Sequence, residues 1–196
     1  YGDYLESQSR LERLVEQGTH FVRWGAVLPG QPGISIGCDN FQGGHDITTH
    51  LLEQGRRSLA FLGHASNHYP EFFERYRGHA HALSTAGLGI QPALQIDAIT
   101  SEQSGYEAAS MLLERGEPFD AIFAASDLIA IGAMKALHER GLRVPGDVAV
   151  AGFDDIPLAG FVNPGLSTVQ QDTKLAGRIL VETLLALINN EPAESR

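Results

Sequence analysis

Four times along the chain, a segment with apolar residues at helical spacing ends in glycine, and a continuously apolar run follows within a few residues. The glycines are Gly18, Gly55, Gly116 and Gly141, and the runs are HFVRW, SLAFLG, AIFAA and VAVAGF. Glycine ends many helices because it adopts the left-handed conformation without steric cost. Runs that are apolar at every position are typical of strands covered on both faces. The pattern therefore predicts helices that lead into buried strands.

Three helix starts can also be recognised. Thr100 and Gln103 match a capping box, Ser126 and Asp127 precede an apolar stripe, and Asp172 precedes another. The repeated alternation of helices and strands predicts an α/β fold, in which a doubly wound parallel sheet carries helices on both faces.

The two ends of the sequence look incomplete. Tyr1 to Val15 has the pattern of a helix with no strand before it, and the polar segment Asn189 to Arg196 follows a long helix. We therefore expect the chain to be part of a larger α/β protein.

Composition and charge narrow the classes of function. The hydrophobic content of 43% in 196 residues is enough for a buried core. The net charge of −10 leaves no dense positive stripe, so this stretch is not expected to bind nucleic acid by itself. The single cysteine, Cys38, excludes an internal disulfide and fits a reducing compartment. Neither a membrane span nor a signal peptide is visible in the sequence.

No motif for nucleotide, dinucleotide, serine hydrolase or zinc protease chemistry occurs, so an enzyme has little support in the sequence. Two histidine pairs have spacings that a metal could use, namely His64 with His68 and His79 with His81. They lack a helix-borne carboxylate partner, and surface or loop roles are favoured for them. No cofactor is expected.

The candidate ligand-binding residues lie where predicted strands end, because doubly wound sheets bind ligands outside the carboxyl ends of their strands. These strand ends are Trp24 to Ala26, Asp39 and Asn40, Gly63 to Asn67, Ser126 and Asp127, and Asp154 and Asp155. The basic residue Arg75, on a predicted helical segment, could join them. Acids and amides of this kind suit hydroxyl-rich small molecules.

Each candidate has a structural alternative that the residues alone leave open. Asp127 could be an N-cap, a ligand contact or both. Trp24 could be a core or interface aromatic. Arg75 could form a surface ion pair with Glu71 or Glu74, which contributes only about 0.3 to 0.5 kcal/mol.

The adjacent acids Asp154 and Asp155 could form a metal site, an acid/base pair, a ligand clamp or a helix cap. Neighbouring strand residues face opposite sides, which disfavours a shared metal or substrate unless the backbone turns. Asp155 precedes Ile156 and Pro157, the signature of an N-cap. We therefore predict that Asp154 contacts ligand and that Asp155 caps a helix.

The chain resembles the effector-binding domain of the LacI/GalR family of bacterial transcription repressors over about Val15 to Asn190. The resemblance rests on five segments: IGCDNFQGG, ERYRGH, SGYEAA, AIFAASDLIAIGAMKALHERGLRVPGDVAVAGFDDIPLA and NPGLSTVQQD. It implies a periplasmic-binding-protein-like fold with two doubly wound lobes joined by crossover hinges. By this resemblance, residues 1–36 and 173–190 form an incomplete N-terminal lobe, residues 37–171 form the C-terminal lobe, residues 191–196 are a tail, and the helix-turn-helix headpiece is absent.

The resemblance also implies site residues and partners. Arg75 matches the family arginine that grips polar groups of the effector, and Asp154 matches the strand-end aspartate opposite it. Asp39 matches an acid at the cleft, and Ser126 with Asp127 matches an Asn-Asp pair. The implied partners are a sugar or sugar derivative bound between the lobes, a second copy in a homodimer, and operator DNA through the headpiece only. A cytoplasmic protein without membrane contact is expected.

Two departures from the family leave the ligand's identity open. Gly25 stands where strand HFVRW usually ends in an acid that contacts ligand, and the aromatic expected before SGYEAA has no clear counterpart. Two rival hypotheses remain: a periplasmic sugar-binding protein of a transport system, and an enzyme that uses Asp154 and Asp155 as an acid pair.

Overall fold

A computed structural model of the protein describes residues 4–196. The helices are α1 Tyr4–Glu16, α2 Asn40–Glu53, α3 Pro70–Thr85, α4 Glu102–Arg115, α5 Asp127–Glu139 and α6 Thr173–Ile188. The strands are β1 Val22–Trp24, β2 Ile34–Ile36, β3 Leu59–Leu62, β4 Gln95–Ile96, β5 Ala121–Ala124, β6 Ala149–Asp154 and β7 Ser167–Gln170. The first three residues of the helix predicted over Tyr1 to Val15 lie outside the described residues.

The chain divides into two compact units. The first contains residues up to Asp39 together with Asn67–Glu71 and Gln171–Arg196, and the second contains Asn40–Ser66 and Phe72–Gln170. These bounds differ from the predicted lobes in one main respect, because five residues around the start of α3 belong to the first unit. No helix within residues 4–196 has the length and apolar character that a membrane span requires.

The second unit is built on a parallel sheet of five strands in the order β4-β3-β5-β6-β7. Leu59 pairs with Ala121 and Ala121 pairs with Ala149, so the three central strands run in step. All residues of β3 and β5 are buried, as the continuously apolar runs predict. The predicted α/β class with parallel sheets is therefore confirmed. The in-step strands also bring their carboxyl ends to one edge of the sheet.

The first unit contains the two-stranded parallel sheet β1-β2, against which α6 packs. In the segment 191–196, predicted as a tail, Arg196 makes backbone hydrogen bonds at β2. The Arg196 N–H donates to the Ser35 carbonyl at 3.1 Å, and the Gly37 N–H donates to the Arg196 carbonyl at 3.0 Å. Polar composition does not reveal these two hydrogen bonds, because residue 196 and β2 are distant in the sequence. That residues 191–196 form a tail stays a prediction.

The predicted helix ends are confirmed with one exception. Gly18, Gly55, Gly116 and Gly141 all have positive φ between 69° and 87°. Ser126 and Asp172 cap α5 and α6 through their side chains. The exception is the capping box at Thr100, because the Ser101 side chain accepts the Ser104 N–H instead, one residue later.

Candidate functional site

The candidate site lies where β6 ends, at the carboxyl edge of the five-stranded sheet. Asp154 and Asp155 have φ of 116° and 54°, a region that side-chain-bearing residues rarely adopt. Each such residue costs about 1 to 3 kcal/mol, and strain of this kind occurs preferentially at functional sites. The backbone therefore turns at the two acids, and they do not alternate as residues in an extended strand would.

Arg75 is brought to Asp154 from α3. Its side chain is only 1% exposed, and its Nη1 lies 3.4 Å from Asp154 Oδ1. Its Nε donates to Asn40 Oδ1 at 2.8 Å, and its Nη1 donates to the Ala125 carbonyl at 2.5 Å. The guanidinium carbon also lies 3.7 Å from the centre of the Phe153 ring.

These contacts exclude a surface ion pair for Arg75 with Glu71 or Glu74. The exposed pair on α3 is formed by Arg77, whose Nη1 lies 2.8 Å from Glu74 Oε1. Arg75 points instead into a low-dielectric interior, where a charge needs a partner of opposite sign and good hydrogen bonds. Asp154 provides that partner, and the Phe153 ring adds a cation–π contact.

Asp154 is the more accessible member of the pair. Its side chain is 16% exposed, against 1% for Arg75. A small molecule at this edge would therefore meet the carboxylate of Asp154, with Arg75 behind it. A carboxylate accepts hydrogen bonds from hydroxyl groups, and charge-assisted bonds of this kind are the stronger ones.

Ser126 and Asp127 lie at the adjacent strand end and have structural partners. Ser126 is the N-cap of α5, and its Oγ accepts the Ile129 N–H at 3.4 Å. Asp127 is fully buried and is the first residue of the helix, so it is not the cap. Its carboxylate accepts the Thr168 hydroxyl at 2.6 Å and the Ile156 N–H at 2.8 Å. Asp127 thus anchors the turn that follows Asp154.

Burial raises the pKa of the Asp127 carboxyl, although its hydrogen-bond donors oppose the shift. Space for this carboxylate exists because residue 152 is glycine. A Cβ on Gly152 would overlap Asp127 Oδ1. The glycine inside the apolar run VAVAGF therefore serves the packing of a buried acid beside β6.

Asp155 is not an N-cap, and this prediction was wrong. The N-cap of the short 3₁₀ turn Pro157–Gly160 is Ile156, and no side chain caps it. Asp155 Oδ2 instead accepts the Gln170 amide at 2.8 Å, because the positive φ values turn the chain toward β7. Since Asp154 pairs with Arg75 and Asp155 with Gln170, the two carboxylates have separate partners.

Trp24 and Asp39 both lie in the first unit. Trp24 ends β1, pairs with Ile36 and is half-buried, whereas Asp39 is exposed and directly precedes α2. The structure thus brings Arg75, Asp154, Ser126 and Asp127 to one edge of the sheet in the second unit. The roles of Trp24 and Asp39 stay predictions.

A carboxylate that no local sequence pattern indicates lies at the end of β1. Glu71 Oε1 accepts the Ala26 N–H at 2.9 Å. Gly25 has φ of 154°, and a Cβ there would lie 2.7 Å from Glu71 Oε1. The missing side chain at Gly25 therefore leaves room for Glu71. The 45 residues between Ala26 and Glu71 explain why no local pattern indicated this contact.

His79 and His64 each lie beside a polar side chain of the protein. His79 is buried, its Nδ1 lies 3.0 Å from Thr48 Oγ1, and desolvation lowers its pKa to about 4. His64 Nδ1 lies 3.5 Å from Asp97 Oδ2. Within the described part of the chain, no three His, Cys, Asp or Glu side chains are placed to hold a metal ion.

Comparison with known protein families gives a match over most of the chain. Residues 48–196 match the family described as a periplasmic binding protein-like domain. The chain is 42% identical over 136 residues to the HTH-type transcriptional regulator AscG of Escherichia coli (strain K12), which covers 69% of this chain and 40% of that protein. It is 35% identical over 185 residues to the HTH-type transcriptional regulator CelR of Thermobifida fusca. That alignment covers 93% of this chain and 54% of CelR. The chain spans about half the length of these curated relatives.

Solved structures agree in fold. A transcriptional regulator CelR-cellobiose complex has a TM-score of 0.85 at 34% identity, covering 93% of this chain and 57% of that chain. A LacI family transcriptional regulator from Enterococcus faecium with bound ribose has a TM-score of 0.85 at 25% identity. The match covers 100% of this chain and 72% of that chain. These relatives are transcriptional regulators, which favours neither the transport hypothesis nor the enzyme hypothesis.

Proposed function

The chain belongs to the LacI/GalR family of periplasmic-binding-protein-like domains, and from this premise we propose that it is the ligand-sensing domain of a transcriptional regulator. Its ligand is a sugar or sugar derivative, and Asp154 contacts it. The observation that carries the proposal is the ion pair between buried Arg75 and partly exposed Asp154, at a strand end where the backbone has positive φ.

The chemistry of the pair favours a neutral, hydroxyl-rich ligand. Arg75 already matches the charge of Asp154, so this ion pair adds little attraction for a strongly charged molecule. The Asp154 carboxylate accepts ligand hydroxyls. Trp24 adds an apolar face for a sugar ring, and Asp39, Ser126 and Asp127 are further predicted contacts. The cellobiose and ribose named with two related structures support a sugar as the class of ligand.

Regulation follows if the sugar binds one arrangement of the protein better than another. A ligand shifts such an equilibrium only by its differential affinity for the two states. We propose that this shift alters the affinity for operator DNA by a coupling of about 1 to 3 kcal/mol. In this proposal a helix-turn-helix domain outside these 196 residues binds the DNA, the protein works as a homodimer, and it acts in the cytoplasm.

Isothermal titration calorimetry with a panel of neutral sugars that includes cellobiose and ribose tests the proposal. We expect wild type to bind at least one sugar. Asp154→Asn and Arg75→Ala should bind it roughly tenfold more weakly or worse, because a charge-assisted hydrogen bond is lost or misplaced. Asp147→Asn, a surface acid that pairs with exposed Arg143, is the matched control and should bind like wild type. Equal affinity in all four proteins would disprove the site assignment.

A further inference from the structure

We infer that the N-terminal part of α2 positions the Arg75 guanidinium and, through it, the Asp154 carboxylate. The residues concerned are Asn40, Gly43 and Gly44, called the α2 cradle below. Three contacts of the cradle reach Arg75 or the ring on which it lies. The inference about positioning stands on these contacts, and only its consequence for ligand binding rests on the proposed function.

Asn40 fixes the guanidinium without competing for its charge. Its side chain is buried, with 5% exposure, and its amide oxygen accepts Arg75 Nε–H at 2.8 Å. An amide is neutral, so the positive charge of Arg75 remains available to Asp154 at 3.4 Å. A carboxylate in place of this amide would accept the same hydrogen bond but would also attract the charge. Because its side chain is an amide, Asn40 acts as a positioning residue for Arg75 and not as a second ion-pair partner.

Gly44 allows α2 to come close to α3. A Cβ on Gly44 would overlap the backbone carbonyl of Arg75, and a Cβ on Gly78 would overlap the carbonyl of Phe41. The two helices thus cross with their backbones in contact. Asn40 lies one turn before Gly44 on α2, which is why its short side chain reaches Arg75.

Gly43 sets the position of the aromatic ring beneath the guanidinium. A Cβ on Gly43 would lie 2.6 Å from Cε2 of Phe153. The same ring has its centre 3.7 Å from the guanidinium carbon of Arg75. Phe153 directly precedes Asp154, so α2 packs against both the arginine and the strand end that carries the aspartate.

The test follows the Arg75 Nε–H signal by NMR in the full 196-residue chain without ligand. In wild type, we expect the buried hydrogen bond to Asn40 to protect this hydrogen from exchange with water. In Asn40→Leu we expect exchange to accelerate roughly tenfold or more, since a buried hydrogen bond to a charged group is lost. In Asn40→Asp the protection should return, because a carboxylate oxygen replaces the amide oxygen.

Sugar affinity then separates positioning from a purely structural role. Asn40→Asp should keep the protected Nε–H but bind the sugar found by calorimetry several-fold more weakly, because the introduced carboxylate draws Arg75 from Asp154. If Asn40→Leu fails to fold, Asn40→Ser gives the same measurement, since its hydroxyl is too short to reach Nε.

Unchanged protection of Arg75 Nε–H in a folded Asn40→Leu or Asn40→Ser protein would overturn the inference, as would rapid exchange in Asn40→Asp. If no sugar binds to wild type, the proposed function fails, yet the exchange measurement still decides whether the cradle positions Arg75.

Discussion

The two edges of the five-stranded sheet use arginine and aspartate in opposite ways. At the amino edge, Arg143 and Asp147 form a forked pair with distances of 2.8 and 2.9 Å, and the Arg143 side chain is 79% exposed. At the carboxyl edge, Arg75 and Asp154 are 3.4 Å apart, and Arg75 is 1% exposed. The pair with the shorter distances is thus the one in water.

From this comparison we expect burial, more than distance, to determine how much an ion pair contributes to stability. Screening and side-chain entropy offset most of the attraction in an exposed pair. Arg143 lowers the pKa of the Asp147 carboxyl through its hydrogen bonds. This interaction stabilises only the local turn between the two residues. At the carboxyl edge, Arg75 carries a buried charge, and Asp154 and Asp155 have positive φ. Such departures from locally favourable structure are expected where a site has been built.

The largest effect is expected from Arg75→Met. The variant keeps the apolar length of the side chain but leaves Asp154, Asn40 and the Ala125 carbonyl without their donor. Breaking a buried pair in this way typically destabilises by about 3 to 5 kcal/mol. Urea unfolding measures the change, and a loss below about 1 kcal/mol would place the Arg75 pair in the same class as the exposed one.

His79 extends the comparison to pH, because it lies one turn after Arg75 on the buried face of α3. Its pKa is about 4 in the folded protein, against 6.5 for an ordinary histidine. Well above pH 6.5 both states are neutral and His79 has no effect on the pH dependence. As pH falls from 6.5 to 4, the unfolded chain binds the proton first, so folding stability decreases, by a total on the order of 3 kcal/mol.

Urea unfolding at several pH values checks this dependence. His79→Gln should remove the His79 share of the slope between pH 6.5 and 4. An identical slope in His79→Gln and wild type would contradict the assignment of His79 as a buried neutral histidine.

Thr168→Val tests whether the hydrogen bond from Thr168 to Asp127 stabilises the turn that follows Asp154. The variant keeps the shape of the side chain but removes the hydroxyl that donates to Asp127 at 2.6 Å. A buried carboxylate that loses a donor costs about 1 to 3 kcal/mol. Ser167→Ala, an exposed neighbour on β7, is the matched control for unfolding measurements. Similar stabilities of the two variants would mean that Asp127 is not held by Thr168.

The smallest effect is expected at the amino edge. Arg143→Met removes a forked ion pair from an exposed turn, and we expect no measurable change in the urea midpoint. A destabilisation equal to that of Arg75→Met would remove the distinction between the two edges.

The central strands and most helix ends could be predicted from the sequence because their causes are local. Continuous apolar runs identify β3, β5 and β6, and glycines with positive φ end the helices before these three strands. By contrast, β2, β4 and β7 are two to four residues long and partly polar, so no periodicity reveals them. Their pairing partners decide their conformation.

The site could be predicted only in part, for the same reason. The position of Asp154 follows from the end of an apolar run. The burial of Arg75 depends on partners 35 and 50 residues away, whereas helical spacing alone points to Glu71 and Glu74. At Asp155, the local N-cap signature is overridden by the turn of the backbone and by Gln170.

The most direct test of the account is chemical-shift mapping of the ¹⁵N-labelled chain during titration with the sugar panel. We predict that amides at the carboxyl edge, residues 125–127 and 154–156, shift with the binding sugar. Those at the amino edge, residues 56–58, 143, 144, 146 and 147, should not shift. Shifts confined to the amino edge, or no shift with any sugar, would contradict the claim that the carboxyl edge binds the ligand.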